Sequence, residues 1–534
     1  MKTEKIRNLS LIMVAAAFAA PFVYITLTSF AFSPEEFREI FNRYDLFTLL
    51  LNTFVLIVCV GLLSMTFGLF SAWFVTMYDF PLRKLFSVLL IFPLAFPAYV
   101  LAFSWTGFFG FSGIINKTLS PNSIFFLDIF RNLAGATLVL SFALYPYIYL
   151  IAKSAFATMG KRSLEVANIH GYSDFEAFFR IIIPQIKPWL ISGLIIVWFE
   201  TLADFGAVSI LSVDTFTTAI YKAWYGYFKI EESLLLAFFL LIKVFILLWV
   251  LRLIEGNKYY TQTERQDTNI AQKKNLSPFY KSLVFIFLTS LCTLSFAIPS
   301  AQLFHWIFAA DQLNLSDISQ YTFNTFSLAV AGALCIVLLS LYLGFCNKFY
   351  KNKLSGAVGY LVKSGYAYPG SVLAVALFIP IINLSQNISS FTGVSLNMQS
   401  TVLPLFLGYI IRFSAVASAP VNGGYQRLKK SVLESAALLT DSVSSKLFRI
   451  VLPVLKPGII SAFILTFIDI SKEMPLTLMT RPFGFDTLAV KIYGLTSEGE
   501  WERAALPAII IVFLGFIPIA FSALLRRKNV HPRS

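Results

Sequence analysis

Two short charged runs stand inside apolar sequence, and their residue types could hold or guide a cation. One reads Phe199-Glu200-Thr201-Leu202-Ala203-Asp204-Phe205-Gly206. The other reads Ile468-Asp469-Ile470-Ser471-Lys472-Glu473-Met474-Pro475. Glu200 aligns with Asp469, and Asp204 with Glu473. A charge at mid-bilayer costs about 2.5–3.5 kcal/mol, so such residues turn toward a bundle interior or a water path. Acids four residues apart share one helix face. Two such faces meeting would form a negatively charged lining, and carboxylate oxygens suit a hard cation. The alternative is structural: the acids pair with Lys472 and with neighbouring helices. Tyr99, Tyr145, Tyr147 and Tyr149 add phenolic oxygens, although tyrosine is also common at membrane interfaces. The four cysteines and three histidines are scattered and show no metal-binding spacing.

A second polar feature occurs twice. Glu165-Val166-Ala167 leads through Gly171 to Arg180-Ile181-Ile182-Ile183-Pro184 and Lys187-Pro188. Glu434-Ser435-Ala436 leads to Arg449-Ile450-Val451-Leu452-Pro453 and Lys456-Pro457 at one constant offset. The spacing predicts a short helix from Leu164 to about Ile169, closed by Gly171 as a left-handed cap. A second helix is expected from Ser173-Asp174, with Phe175, Phe178, Phe179 and Ile182 on one face and Pro184 stopping it. The product would be a helix–turn–helix on the membrane surface with Glu165 projecting. Two copies at matched spacing imply two equivalent docking surfaces.

The elements that must carry these residues follow from composition. The 534 residues are 57% hydrophobic and 13% charged, with mean hydropathy +0.75. Soluble domains carry about 25% charged residues. Apolar runs of about 20 residues indicate a polytopic α-helical membrane protein. Twelve spans are expected near 9–31, 50–77, 85–108, 133–157, 189–212, 233–254, 279–304, 324–347, 357–383, 401–420, 458–480 and 505–525. The first could pass for a signal peptide, but its apolar run continues to Phe32.

Asn52-Thr53 and Pro97 recur as Asn324-Thr325 and Pro369, which reads as an internal duplication. Six spans per half give a parallel repeat. The halves are 1–254, with its charged loop at 158–188, and 279–534, with its loop at 421–457. A polar tether at 255–278 joins them. The net charge of +14 is gathered in short basic clusters, while 306–323 and 384–400 contain no Lys or Arg. That asymmetry places both termini in the cytoplasm. It is a membrane pattern, with no nucleic acid implied.

The repeated stretch resembles the EAA loop of permease subunits of bacterial ATP-binding-cassette importers. In that family the loop docks in a cleft of an ATPase subunit. The resemblance assigns coupling to Glu165, Ala167, Gly171, Arg180 and Pro184, and to Glu434, Ala436, Arg449 and Pro453. Val166, Ser435 and Thr440 depart from the pattern. Lys472-Glu473-Met474-Pro475-Leu476-Thr477-Leu478 and Arg481-Pro482-Phe483-Gly484-Phe485-Asp486-Thr487-Leu488-Ala489 resemble runs of fused-duplicate permeases of ferric-iron importers.

The resemblance implies an all-α type I importer fold in a bacterial inner membrane. It implies two ATPase subunits that hold ATP and Mg, and a periplasmic binding protein. The chain contains no GxxxxGK[ST], so nucleotide binding and hydrolysis are expected on the partners, with no cofactor and no enzyme activity here. Thiamine or another small solute is the alternative cargo, and an ion-driven secondary transporter the alternative class. Glu165→Ala with Glu434→Ala is expected to weaken ATPase association while leaving membrane insertion intact. Co-purification checks this: normal complex yield with coupled transport would remove the docking assignment.

Overall fold

Lipid offers no partner for a bare peptide group, so an apolar chain crosses it as helices. The computed structural model describes residues 2–110, 113–115, 130–159, 171–255, 274–309, 315–350, 353–395, 397–428 and 451–530. Among the described residues, ten helices are long and apolar enough to cross a membrane, and one bent pair can make an eleventh. Trp501–Val530 adds a helix of 30 residues, about 45 Å long. All twelve expected positions are helical, and the all-α class stands. Among the described residues the only strand pairing is Tyr78–Asp79 with Lys274–Asn275, in parallel. It ties the end of the interhelical tether to the end of helix Leu46–Met77; residues 256–273 lie outside the described residues.

Three expected boundaries are corrected. The run expected as a span at 85–108 bends by 95° between Arg83–Ala95 and Ala98–Phe109. The expected span at 357–383 is likewise interrupted, between Lys353–Ser364 and Gly370–Thr392. Proline causes both breaks. It lacks an N–H and pushes the preceding residue out of the helical region. Phe96 has φ −82, ψ 125 before Pro97 at φ −61, ψ 145. Tyr368 has φ −81, ψ 119 before Pro369 at φ −58, ψ 145.

The third correction concerns Pro184. The expected stop there does not occur. The helix begun at Asp174 passes through a π turn at Phe178–Ile182 and continues as Ile183–Ala203. Pro184 stands in the first turn of that last segment, where no i−4 bond is required. The charged loop therefore feeds directly into the span, which begins near Phe178 and ends at Ala203 instead of running 189–212. Pro453 takes the same place in Leu452–Lys472.

Matched contacts recur in the two halves of the chain. Asn52 Nδ2 donates to the Asp214 carbonyl at 3.0 Å. Asn324 Nδ2 donates to the Asp486 carbonyl at 2.9 Å. Each carbonyl precedes a threonine, Thr215 or Thr487, that caps the next helix. Apolar packing nevertheless crosses the halves. Helices Lys2–Ser29 and Ile230–Glu255 pack into a core with residues 328–479. Pro278–Cys292, Ile298–Ala309 and Trp501–Val530 pack with helices of the first half.

Helix Leu46–Met77 lies along Leu133–Met159 at Gly68. A Cβ there would stand 2.6 Å from Ile148 Cβ and 2.8 Å from the Tyr145 carbonyl oxygen. Gly68→Val is expected to destabilise by about 1–3 kcal/mol, because backbone must shift. Gly359→Ala, with nothing within 4 Å of the new Cβ, should gain about 1 kcal/mol of helix propensity. Opposite shifts in the thermal midpoint of the purified protein are the expected result.

Candidate functional site: two broken helices facing each other

Each charged run sits where a long helix ends and a short one begins. Helix Ile183–Ala203 ends at Asp204, φ −67, ψ 130, and the chain restarts as Gly206–Ile210. Helix Leu452–Lys472 ends at Glu473, φ −67, ψ 121, and restarts as Pro475–Thr480. The two breaks share one backbone conformation at equivalent positions. They also touch: a Cβ on Gly206 would stand 2.6 Å from Met474 Cε. Tyr225 donates to the Leu478 carbonyl at 3.1 Å, and Ser209 and Tyr493 hydroxyls lie 3.2 Å apart.

A break exposes helix ends, and the acids satisfy them. Asp204 Oδ1 accepts from the Val208 N–H at 3.1 Å, and Thr217 donates to the Asp204 carbonyl at 2.7 Å. Glu473 Oε1 accepts from the Leu476 N–H at 3.1 Å, and Thr477 donates to the Glu473 carbonyl at 3.0 Å. Carboxylates are favoured at a helix N-terminus by its unpaired N–H groups and its dipole. Asp204 and Glu473 therefore do not share a helix face with Glu200 and Asp469. Of the four acids expected in the lining, Asp204 and Glu473 are engaged as helix caps, yet both still act on Glu200.

Glu473 has a further partner. It is 7% exposed and pairs with Arg412 at 3.6 Å, itself 9% exposed. The pair abuts the start of helix Gly370–Thr392, since a Cβ on Gly370 would fall 2.4 Å from Glu473 Oε1 and 2.6 Å from an Arg412 nitrogen. Alanine, Ala143, stands at the matching position of the first half.

Glu200 and Asp469 do come together, one from each half. The two carboxylates act on each other, and Lys472 acts on both. Tyr147 lies within electrostatic reach of both acids. Tyr366 donates its hydroxyl to Glu200. Lys472 Nζ donates to the Leu94 carbonyl at 2.9 Å. All five residues are half-buried, whereas Glu473 is buried. Two carboxylates, one ammonium and two phenols can bind a cation by oxygen ligation or repel an anion.

Tyr366, Leu94 and Arg412 were not legible as site residues from the charged runs alone. Arg412 lies within the expected span 401–420, and a lone arginine there is itself a signal. Tyr366 aligns with Leu94, so the internal repeat gives no hint of it.

The coupling residues divide. Gly171 has φ +74, the left-handed conformation a helix-ending cap uses. Ser173 Oγ accepts from the Glu176 N–H at 3.3 Å, and Glu176 accepts from the Ser173 N–H at 3.0 Å. The Ser173 N–H and the Ser173 hydroxyl, which donates to the same carboxylate at 2.9 Å, hold the Glu176 carboxyl below its usual range. Phe178 and Ile182 are buried, with Phe178 4.7 Å from the Trp73 ring, while Phe179 is exposed. The expected single aromatic face is thus split by the π turn. Arg180 lies 5.7 Å from the Tyr172 ring. Glu165, Ala167, Glu434, Ala436 and Arg449 lie outside the described residues.

Known proteins resemble this chain in sequence. Residues 64–257 match the family described as the binding-protein-dependent transport system inner membrane component. An Fe(3+)-transport system permease protein of Haemophilus influenzae is 25% identical over 516 residues, 96% of each chain. A ferric transport system permease protein of Actinobacillus pleuropneumoniae is 23% identical over 96% of this chain and 77% of its own. A sulfate transport system permease protein of Escherichia coli is 26% identical over 30% of this chain and 55% of its own. Likeness to binding-protein-dependent permeases thus covers residues 64–257 by family model and nearly the whole multi-pass chain by relatives.

Glu473→Gln leaves Arg412 buried without its counter-charge, a loss of about 3–5 kcal/mol for a broken buried pair. A lowered thermal midpoint is expected, with recovery when Arg412→Met is added. Retention of wild-type stability by Glu473→Gln alone would show that the pair is not a structural lock.

Proposed function

We propose that the chain is the transmembrane permease of an ATP-binding-cassette importer whose cargo is ferric iron. It supplies both six-helix halves, 1–254 and 279–534, with its termini in the cytoplasm. Two separate ATPase subunits dock on the loops at 158–188 and 421–457, bind ATP with Mg and hydrolyse it. A periplasmic binding protein delivers the iron. The chain makes and breaks no bond of the cargo. Closure of the ATPases pushes the loops together, and each loop moves the span it leads into.

The observation that carries this reading is the meeting of Glu200 and Asp469 between the two broken helices, with Tyr147 and Tyr366 beside them. Carboxylate and phenol oxygens are the ligand types that suit a hard, highly charged cation. The two full-length relatives named for iron support the same cargo. Paired carboxylates oppose an anion, which weighs against sulfate despite the partial likeness to a sulfate permease. Cationic thiamine is the second reading.

The test uses proteoliposomes holding the chain with its ATPase subunits. ATP hydrolysis is expected to rise with ferric-loaded binding protein and not with thiamine-loaded delivery protein. Stimulation by thiamine alone would keep the importer and overturn its cargo. Transport that persists without any ATPase subunit would overturn the importer.

A further inference from the structure

Glu200 and Asp469 bring two carboxylates together inside a helix bundle, and one cation answers both. Lys472 lies on the same helix as Asp469, one turn away, and its ammonium acts on both acids. The ammonium is also held by the first half: it donates to the Leu94 carbonyl at 2.9 Å. Leu94 belongs to the 3₁₀ turn Phe92–Ala95 that precedes the break at Pro97. That position is where the helical ladder is interrupted, so its carbonyls are available to an outside donor.

The internal repeat makes the arrangement one-sided. The residue matching Lys472 in the first half is Ala203, and the residue matching Leu94 in the second half is Tyr366. Across one side of the interface Tyr366 offers Glu200 a neutral hydroxyl. Across the other side Lys472 brings a full charge and bonds to backbone. Only one of the two contacts therefore brings a cation across the interface; the other joins a neutral phenol to a carboxylate.

We propose that Lys472 is a tethered counter-cation. Between turnovers its charge offsets the Glu200–Asp469 pair without direct contact, and its bond to the Leu94 carbonyl latches the second half to the first. A cationic cargo entering the pair takes over the carboxylates and repels the ammonium. The Leu94 bond is then released, and one charged contact that holds the second half to the first is lost. Cargo binding and gate opening become one exchange of cations. This rests on the reading that Glu200 and Asp469 line the path.

The experiment uses proteoliposomes of the chain with its ATPase subunits, first without and then with iron-loaded binding protein. Lys472→Met is expected to raise unstimulated hydrolysis several-fold and to shrink the further rise on adding loaded binding protein. Lys472→Arg, which keeps the charge and a donor, should retain low unstimulated hydrolysis. Unchanged rates in Lys472→Met, with and without binding protein, would overturn the latch. If Lys472→Met does not assemble with the ATPase subunits, Asp469→Asn with Lys472→Met removes one charge of each sign. Assembly of that pair with wild-type unstimulated hydrolysis also overturns it, and raised hydrolysis supports it. Should wild-type protein ignore iron-loaded binding protein, the cargo reading fails, while the unstimulated rates of the variants still judge the latch.

Discussion

Every feature of the central site answers one constraint: a helix broken within a membrane exposes peptide groups that lipid cannot satisfy. The chain breaks its helices at Pro97, Pro369, Asp204 and Glu473. Asp204 and Glu473 turn their carboxylates onto the N–H groups of the helices that follow. Thr217 and Thr477 turn their hydroxyls onto the carbonyls of those acids. Lys472 reaches a carbonyl at the break of the opposite half. The polar residues that look like a ligand set in the sequence are, in part, the repair of the backbone that was opened.

Duplication explains why the breaks match and why their fillings differ. Backbone angles at Pro97 and Pro369, and at Asp204 and Glu473, agree within about ten degrees. Those angles are set by proline chemistry and by the need to restart a helix, and both halves inherit them. Side chains around the breaks answer to local charge and have diverged. Glu473 needs a counter-charge because it is buried, and Arg412 provides it. Asp204 is half-buried, and alanine, Ala143, suffices at the matching place.

Legibility followed the same division. Helix number and approximate placement were readable because a run of about 20 apolar residues has few alternatives. The equivalence of Glu200 with Asp469, and of Asn52 with Asn324, was readable from constant spacing. Helix breaks were harder. Pro184 and Pro97 are the same residue type, yet one begins a segment and the other ends one. The distinction depends on whether the preceding turn can widen into a π turn, as Phe178–Ile182 does around buried Phe178. Four-residue spacing placed Asp204 and Glu473 beside Glu200 and Asp469 only on the assumption of an unbroken helix. Tyr366 and Leu94 were hidden because the repeat pairs a tyrosine with a leucine, and because a carbonyl leaves no trace in a sequence.

The correction at Pro184 has a mechanical consequence for the proposed importer. A helix that ended there would leave a hinge between the loop and the span. The observed path from Asp174 to Ala203 is helical throughout, 4, 5 and 21 residues in sequence, about 45 Å of continuous rod that can bend at the π turn and at Pro188. Glu200 rides on its last turn. Phe178, packed on Trp73 at 4.7 Å, gives the rod a fixed point near its cytoplasmic end in the proposed orientation. A displacement applied at the loop therefore reaches Glu200 as a tilt about Phe178. Helix Leu452–Lys472 carries Asp469 and Lys472 on its last turn in the same way. Pushing the loops together moves the far ends relative to each other, and Tyr366 to Glu200 and Lys472 to Leu94 are among the contacts that resist. In the proposed importer the cluster that would meet the cargo is thus also a joint that the ATPases would have to open.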